Sequence, residues 1–279
     1  MPELSIITVN YNNARGLEKT IRSVICQRYT DYEYIVIDGG STDSSLKIIN
    51  EHSDSITYWV SESDRGIYHA MNKGIIASSG EYLLFLNSGD WFTNESVLDK
   101  VLKSGFKEDI LYGNVNYEFD NGKFEPARIG KEEDITLAYF YRQMFPHQAS
   151  FIKRELFSTE MYDETLKIIA DWKFFIDRIV LKNCSIRKIP FPIVNYDMSG
   201  ISSQKKFLSL HTQEKLKVLN QLLPPRIAMD YEKMIPAYGS PLLKHLPYLN
   251  KTTGFNSFVS RVVGILIKVH KLISRQKNV

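Results

Sequence analysis

Short apolar runs alternate with helix-spaced apolar positions through the first third of the chain. Leu4–Val9 (LSIITV), Tyr34–Ile37 (YIVI), Ile56–Val60 (ITYWV) and Tyr82–Leu86 (YLLFL) read as strands. Between them, Leu17, Ile21, Val24 and Ile25 recur at helical spacing, as do Ile67, Met71, Gly74 and Ile75. Ser41-Thr42-Asp43 can cap a further helix, SSLKIINEH. Near-continuous apolar strands separated by helices predict an α/β fold, a mostly parallel sheet covered on both faces. In such sheets ligands bind at the carboxyl ends of the strands. The polar groups there are Asn10-Tyr11-Asn12, Asp38-Gly39-Gly40, Ser61–Gly66 and Asn87–Asp90, all on one rim.

The pattern changes in the second half. Ile110–Phe119 and Gly122–Ala127 predict a hairpin across Asp120-Asn121-Gly122. A strong helical pattern covers Ala170–Leu181 (ADWKFFIDRIVL), a Gly/Ser-rich loop surrounds Gly200, and Pro224-Pro225 breaks the next helical stretch. Near the end, Phe255, Phe258, Val259, Val262, Leu266, Val269 and Ile273 share one helical face, with Arg261, Lys268, Lys271 and Arg275 on the opposite arc. A basic amphipathic helix of this kind lies on an anionic membrane surface or packs on the domain or a second subunit.

Composition narrows the class. The 279 residues, 43% hydrophobic and 24% charged, suffice for one large domain or a domain with an appendage. A net charge of +3 is too small to argue for nucleic acid. Cys26 and Cys184 sit in apolar runs without CxxC spacing and are expected to be buried reduced thiols in a cytosolic protein. The N-terminal residues lack signal-peptide features, and no run approaches the roughly 20 apolar residues that span a bilayer.

Taken in order, "SIITVNYNN", "VIDGGSTDSS", "SESDRGIYHAMNKGI" and "GEYLLFLNSGDWF" resemble inverting family 2 glycosyltransferases of the GT-A fold. "PHQASFIKREL", "ADWKFFI" and "GISS" continue the resemblance through about residue 205. It implies a sugar-nucleotide-binding half at 1–115, an acceptor-side catalytic half of the same domain at 116–223, and a helical extension at 224–279. The implied reaction moves a sugar from a nucleotide-diphosphate sugar, with UDP-sugars favoured over GDP-sugars, to a glycan or lipid-linked hydroxyl in bacterial surface-glycan synthesis. The implied location is the cytoplasm, extending to peripheral attachment at the inner membrane face.

The resemblance also assigns residues. Asp38 stands where relatives contact the base, and its carboxylate can accept a uracil imide N–H; a helix-preceding turn is the structural alternative. Asn10 reaches the nucleotide or bonds local backbone. Asp64 lies near base or ribose or caps the next helix, and Arg65 can pair with phosphate in a forked contact or form an exposed ion pair. Lys73 is a phosphate contact or a solvated lysine. Relatives carry Asp-x-Asp where this chain has Asn87-Ser88-Gly89-Asp90, so Asp90 is left as the carboxylate for Mn²⁺ or Mg²⁺, hard cations that favour oxygen ligands and keep several waters. Asn87 can supply an amide oxygen or bond the ribose. Asp171 matches the family's base; its apolar neighbours predict a raised pKa, and a helix N-cap is the plain alternative. Asp177, six residues on, faces away on an ideal helix. His147 and Gln148 match the acceptor-side "HQ", while Trp91 and Trp172 are candidates for stacking on sugars or for the core. His69 replaces an acidic residue common in relatives.

Two other classes compete. A nucleotidyltransferase would need a basic Gly-rich loop after the first strand, which NYNNARGLEK does not provide. A degenerate sugar-nucleotide-binding subunit would explain the lost carboxylate, but Asp171 argues against it.

Overall fold

The computed structural model describes residues 2–105, 107–119, 122–127, 129–198, 207–230, 254 and 257–266. Two compact units divide at residue 222, Met1–Leu222 and Leu223–Val279. The first opens with β1 (Leu4–Asn10), α1 (Ala14–Ile25), β2 (Tyr32–Asp38), α2 (Ser45–Glu51), β3 (Tyr58–Ser61), α3 (Ile67–Ala77) and β4 (Tyr82–Phe85). β1 is buried along its whole length because helices cover both faces of the sheet. Leu4, Ile6, Val36 and Leu84 join Leu17, Ile21 and Val24 of α1 in one cluster. Across the pleat, Ile7 meets α3, where Gly74 allows close packing: a Cβ there would stand 2.4 Å from Ile7 Cγ2. Asn13 starts α1 by accepting the Gly16 N–H at 3.1 Å.

β1 pairs in parallel with both β2 and β4, and β3 pairs with β2. Further strands extend the sheet: β5 (Trp91–Phe92), β6 (Ile110–Glu118), β7 (Phe124–Ala127), β8 (Ser150–Lys153) and β9 (Ile186–Asp197). The order is β3-β2-β1-β4-β8-β6-β9-β5, with β7 on β6. β8 runs antiparallel to β4 and β6, and β5 antiparallel to β9, so this is the mixed side of a mostly parallel sheet. The expected 115/116 boundary falls inside β6, so the two halves share a strand. Further α-helices of the first unit are α4 (Val97–Leu102), α5 (Leu137–Arg142), α6 (Ala170–Phe175) and α7 (Leu208–Leu222).

Several expectations need correction. β3 begins two residues later than expected, because Ile56 is buried ahead of the strand while Thr57 donates its N–H to Tyr34 O. The helix expected over Ala170–Leu181 is α-helical only to Phe175 and π-helical over Ile176–Leu181. Neither cysteine is buried: Cys26 is exposed where α1 ends, and Cys184 is intermediate, both as free thiols. Asp120, Asn121 and the loop at 199–206 lie outside the described residues.

In the second unit, residues 257–266 are helical. Phe258, Val262, Ile265 and Leu266 are exposed on this helix, as is Arg261. Phe255, Lys268, Val269, Lys271, Ile273 and Arg275, part of the expected amphipathic pattern, lie outside the described residues. Among the described residues, no helix is long and apolar enough to cross a membrane.

Candidate active site

Parallel pairing brings the ends of β1 and β2 side by side, Asn10 opposite Asp38. Asp38 has no exposed surface. Its Oδ1 accepts from Asn10 Nδ2 at 2.7 Å and Ser41 Oγ at 2.6 Å, and its Oδ2 from the Ser41 N–H at 2.9 Å and Ser61 Oγ at 2.6 Å. Burial raises its pKa, but these four donors outweigh it and hold the carboxyl below its usual range. Asp38 organises the rim, tying the ends of β1, β2 and β3 together through Asn10, Ser41 and Ser61. Asn10, also buried, keeps Oδ1 without a partner.

The next segment locks onto this one. Asp64 Oδ1 accepts the Gly66 N–H at 2.8 Å. Its Oδ2 lies 2.5 Å from where a Gly39 Cβ would stand, so glycine is what lets the two loops close together. Arg65 is exposed and pairs with Glu164 at 2.5 Å. Lys73 pairs with Glu62 at 2.8 Å instead of standing solvated. His69 has a local task, Nδ1 accepting the Arg65 N–H at 3.2 Å.

The Asn87–Asp90 turn is held from beneath by α1. Thr20 Oγ1 donates to Asp90 O at 2.7 Å and accepts the Gly89 N–H at 3.0 Å, while Asn13 Nδ2 donates to Ser88 O at 3.1 Å. Gly89 has φ +110°, and a Cβ there would meet Asp197 Oδ2 at 3.3 Å. Asp90 is buried, and its Oδ1 accepts the Asp197 N–H at 3.2 Å. Burial lifts its pKa to about 7, against the lowering effect of His147 and the Asp197 N–H. Two carboxylates, Asp90 and Asp197, therefore flank Gly89, although the sequence motif contains one.

Asn87 meets His147. Its Nδ2 lies 3.2 Å from His147 Nε2, and its buried Oδ1 has no partner. His147 Nδ1 lies 2.8 Å from Asp171 Oδ2, and Tyr68 donates its hydroxyl to Asp171 Oδ1 at 2.9 Å. Both oxygens of Asp171 are thus occupied in a buried position. The expected rise in its pKa does not occur. Burial does push upward, but the His147 hydrogen bond and charge, with the Tyr68 hydroxyl, pull the carboxyl below its usual value. Burial lowers the His147 pKa, yet Asp171 and then Asp90 raise it overall.

Trp172 is corrected as an acceptor contact. It is buried in the core, with Nε1–H donating to Phe140 O at 2.8 Å. Trp91 is half-buried, with the Lys19 ammonium 3.0 Å over its ring. Gln148 is buried beside His147. Asp177 serves the scaffold, pairing with Arg178 and with Lys182 at 2.8 Å. Tyr68 and Asp197 were missed from sequence. Tyr68 lies inside the DRGIYHAM segment, where a tyrosine one residue into a helix looks like core; Asp197 lies in NYDMSG, distant in sequence from Asp90.

The family model for glycosyl transferase family 2 matches residues 5–160. The chain belongs to that family. An uncharacterized glycosyltransferase of Mycobacterium tuberculosis is 32% identical over 220 residues, 74% of this chain and 79% of the relative. This family 2 chain is a glycosyltransferase, and its fold agrees. Staphylococcus aureus TarS 1–349, solved in complex with UDP-GlcNAc, matches with TM-score 0.61 and 18% identity, covering 82% of this chain and 70% of that one. The mannosyltransferase PcManGT from Pyrobaculum calidifontis, in complex with GDP-Man and Mn²⁺, matches with TM-score 0.58 and 17% identity, covering 84% and 70%.

Proposed function

We propose that this glycosyltransferase inverts the anomeric centre as it moves a sugar from a nucleotide-diphosphate sugar, a UDP-sugar first, to a glycan or lipid-linked acceptor hydroxyl in surface-glycan synthesis. One observation carries the reading. A continuous line of side chains, Asn87, His147 and Asp171, runs from the turn bearing Asp90 to a buried carboxylate 2.8 Å from His147. Inversion needs opposite chemistry at its two ends: stabilisation of a departing diphosphate and removal of a proton from the incoming hydroxyl.

The residues fit a hard divalent cation. Asp90 and Asp197 offer carboxylate oxygens on either side of Gly89, and Asp90 is a buried carboxylate without full compensation. Among the described residues no three His, Cys, Asp or Glu side chains converge, so substrate oxygens and water would fill most of the shell. Bound there, Mn²⁺ or Mg²⁺ supplies charge that stabilises the departing diphosphate. Asn10, the Asp38 hub and Asp64 form the nucleotide rim. Arg65 meets phosphate by exchanging Glu164. His147 and Gln148 face the acceptor side, and Asp171 carries the negative charge of the base. The exposed apolar residues of 257–266, together with Arg261 and the lysines and arginine that the sequence carries at 268, 271 and 275, dock the protein on the inner membrane face near a lipid-linked acceptor.

The test is Asp171→Asn, with thermal shift by UDP-GlcNAc and GDP-mannose in Mn²⁺ to read donor binding. The variant is expected to keep the donor shift and lose transfer by about 10²–10⁴-fold. Transfer at near wild-type rate would remove Asp171 from the mechanism.

A further inference from the structure

On α7, His211, Glu214, Lys215, Val218 and Leu219 fall at i, i+3, i+4, i+7 and i+8, the spacing of a buried stripe, yet only the last two are apolar. Glu214 has a structural task. It is buried, and its carboxylate accepts the Lys167 N–H at 2.7 Å and the Ile168 N–H at 3.1 Å, which fastens α7 to the segment leading into Asp171. His211 and Lys215, one turn apart and both half-buried, have no such task. The Lys215 ammonium stands 5.0 Å from the centre of the Trp172 ring. A ring face attracts a cation, but it leaves the three N–H groups of the ammonium without an oxygen acceptor. Among the described residues, neither Lys215 nor His211 has a hydrogen-bond or ion-pair partner on its side chain.

Holding two basic groups out of water in this way carries a solvation cost that the fold itself does not offset. Burial pushes the Lys215 pKa down to about 8, and burial with the neighbouring Lys215 charge lowers that of His211. Asp171 acts on both through its charge, without a hydrogen bond to either, because its two oxygens already take the Tyr68 hydroxyl and the His147 ring. Asp90 is not among the charges that act on the pair. The two side chains therefore belong to the Asp171 end of the site, where the acceptor hydroxyl enters, and not to the Asp90 end, where the diphosphate leaves.

Resting on the transferase reading above, we propose that His211 and Lys215 form an anion subsite beside Asp171, and that the acceptor carries a phosphate ester or diphosphate that fills it, close to the hydroxyl that is glycosylated. Lysine meets phosphate as a point charge, and the imidazole one turn away adds a second N–H donor. A phosphate that binds both favours their protonated forms, so the pair offers two positive charges to a group able to carry two negative ones. The hydroxyls of a neutral glycan would leave the Lys215 charge unmatched. The subsite selects acceptors by charge, and the proton still passes to the carboxylate end of the site.

The experiment uses the full chain and matched acceptors: octyl glycosides of glucose, galactose and N-acetylglucosamine, each beside the octyl diphosphate ester of the same sugar. With UDP-GlcNAc and GDP-mannose as donors, kcat/KM is measured for wild type, for Lys215→Met, which keeps the stem over Trp172, and for Lys215→Arg, which keeps the charge. Wild type should favour the charged member of a pair by about tenfold or more. The ratio should fall to near one in Lys215→Met, chiefly through KM, and recover in Lys215→Arg, with the donor thermal shift kept in both. A wild-type ratio near one, which needs no variant, or a ratio that Lys215→Met leaves unchanged overturns the subsite. Loss of the donor thermal shift in Lys215→Met also overturns it, by assigning the pair to the donor diphosphate. His211 ring NMR, with UDP and Mg²⁺ present, follows titration with the octyl diphosphate esters and needs no turnover. A His211 shift in wild type that Lys215→Met lacks supports the subsite, and no shift in wild type overturns it. No transfer and no thermal shift with either nucleotide sugar counts against the transferase reading, while the NMR titration judges the subsite separately.

Discussion

Asp90→Asn separates the cost of the buried carboxylate from its use. In the metal-free protein Asp90 has its pKa raised from 3.8 to about 7 by burial. Between those values the folded state holds a proton that the unfolded chain has released. The associated stability is therefore complete below about pH 4 and is lost as pH rises through about 7. Each unit corresponds to about 1.36 kcal/mol, so roughly three units give about 4 kcal/mol as the largest penalty near pH 8. Asparagine keeps the shape and the oxygen that accepts the Asp197 N–H, and it carries no charge. Metal-free Asp90→Asn should match wild type near pH 4 and exceed it near pH 8, by roughly 10 °C in Tm at the full penalty. Mn²⁺ should then raise the wild-type Tm at pH 8 and leave the variant unmoved. The assay is thermal unfolding in chelator and in Mn²⁺ at matched pH. A variant less stable than wild type at pH 8, or a Mn²⁺ shift retained by the variant, would refute the reasoning.

Restoring the family's second acid as Gly89→Asp is expected to fail: φ is +110° and the new Cβ would lie 3.3 Å from Asp197 Oδ2, so thermal unfolding should show a loss of about 1–3 kcal/mol and Mn²⁺ affinity should not improve. For the second unit, co-sedimentation should show binding to anionic vesicles, weakened by salt and by charge reversal at Lys268 and Lys271, each basic residue contributing about 1 kcal/mol. Equal, negligible binding to anionic and neutral vesicles, with a dimer that dissociates on truncation after Gly254, would assign the helix to subunit packing.

The sheet was legible because burial on both faces leaves an unmistakable trace. Seven consecutive buried residues in β1 and an apolar core to β2 and β4 are what covered parallel strands require. The rim followed, since strand ends define it. Side-chain partners did not. Asp171 read as a desolvated acid because its sequence neighbours are apolar, whereas the groups that set its charge, His147 and Tyr68, lie 24 and 103 residues away. Trp172 adjoins Asp171 in sequence, but α6 turns its ring into the core. Local sequence does not show that Asn10 and Ser61 reach the oxygens of Asp38 from adjacent strands. Asp197 arrives through the parallel pairing of β9 with β6, a contact no local pattern encodes.

The central claim is inverting transfer at this rim, and the anomeric configuration of the first product tests it most directly. With UDP-GlcNAc or GDP-mannose, both α-linked, ¹H NMR of the sugar released to water in the first minutes should show the β anomer ahead of mutarotation, and Asp171→Asn should release none above background. An α anomer appearing first would contradict the account.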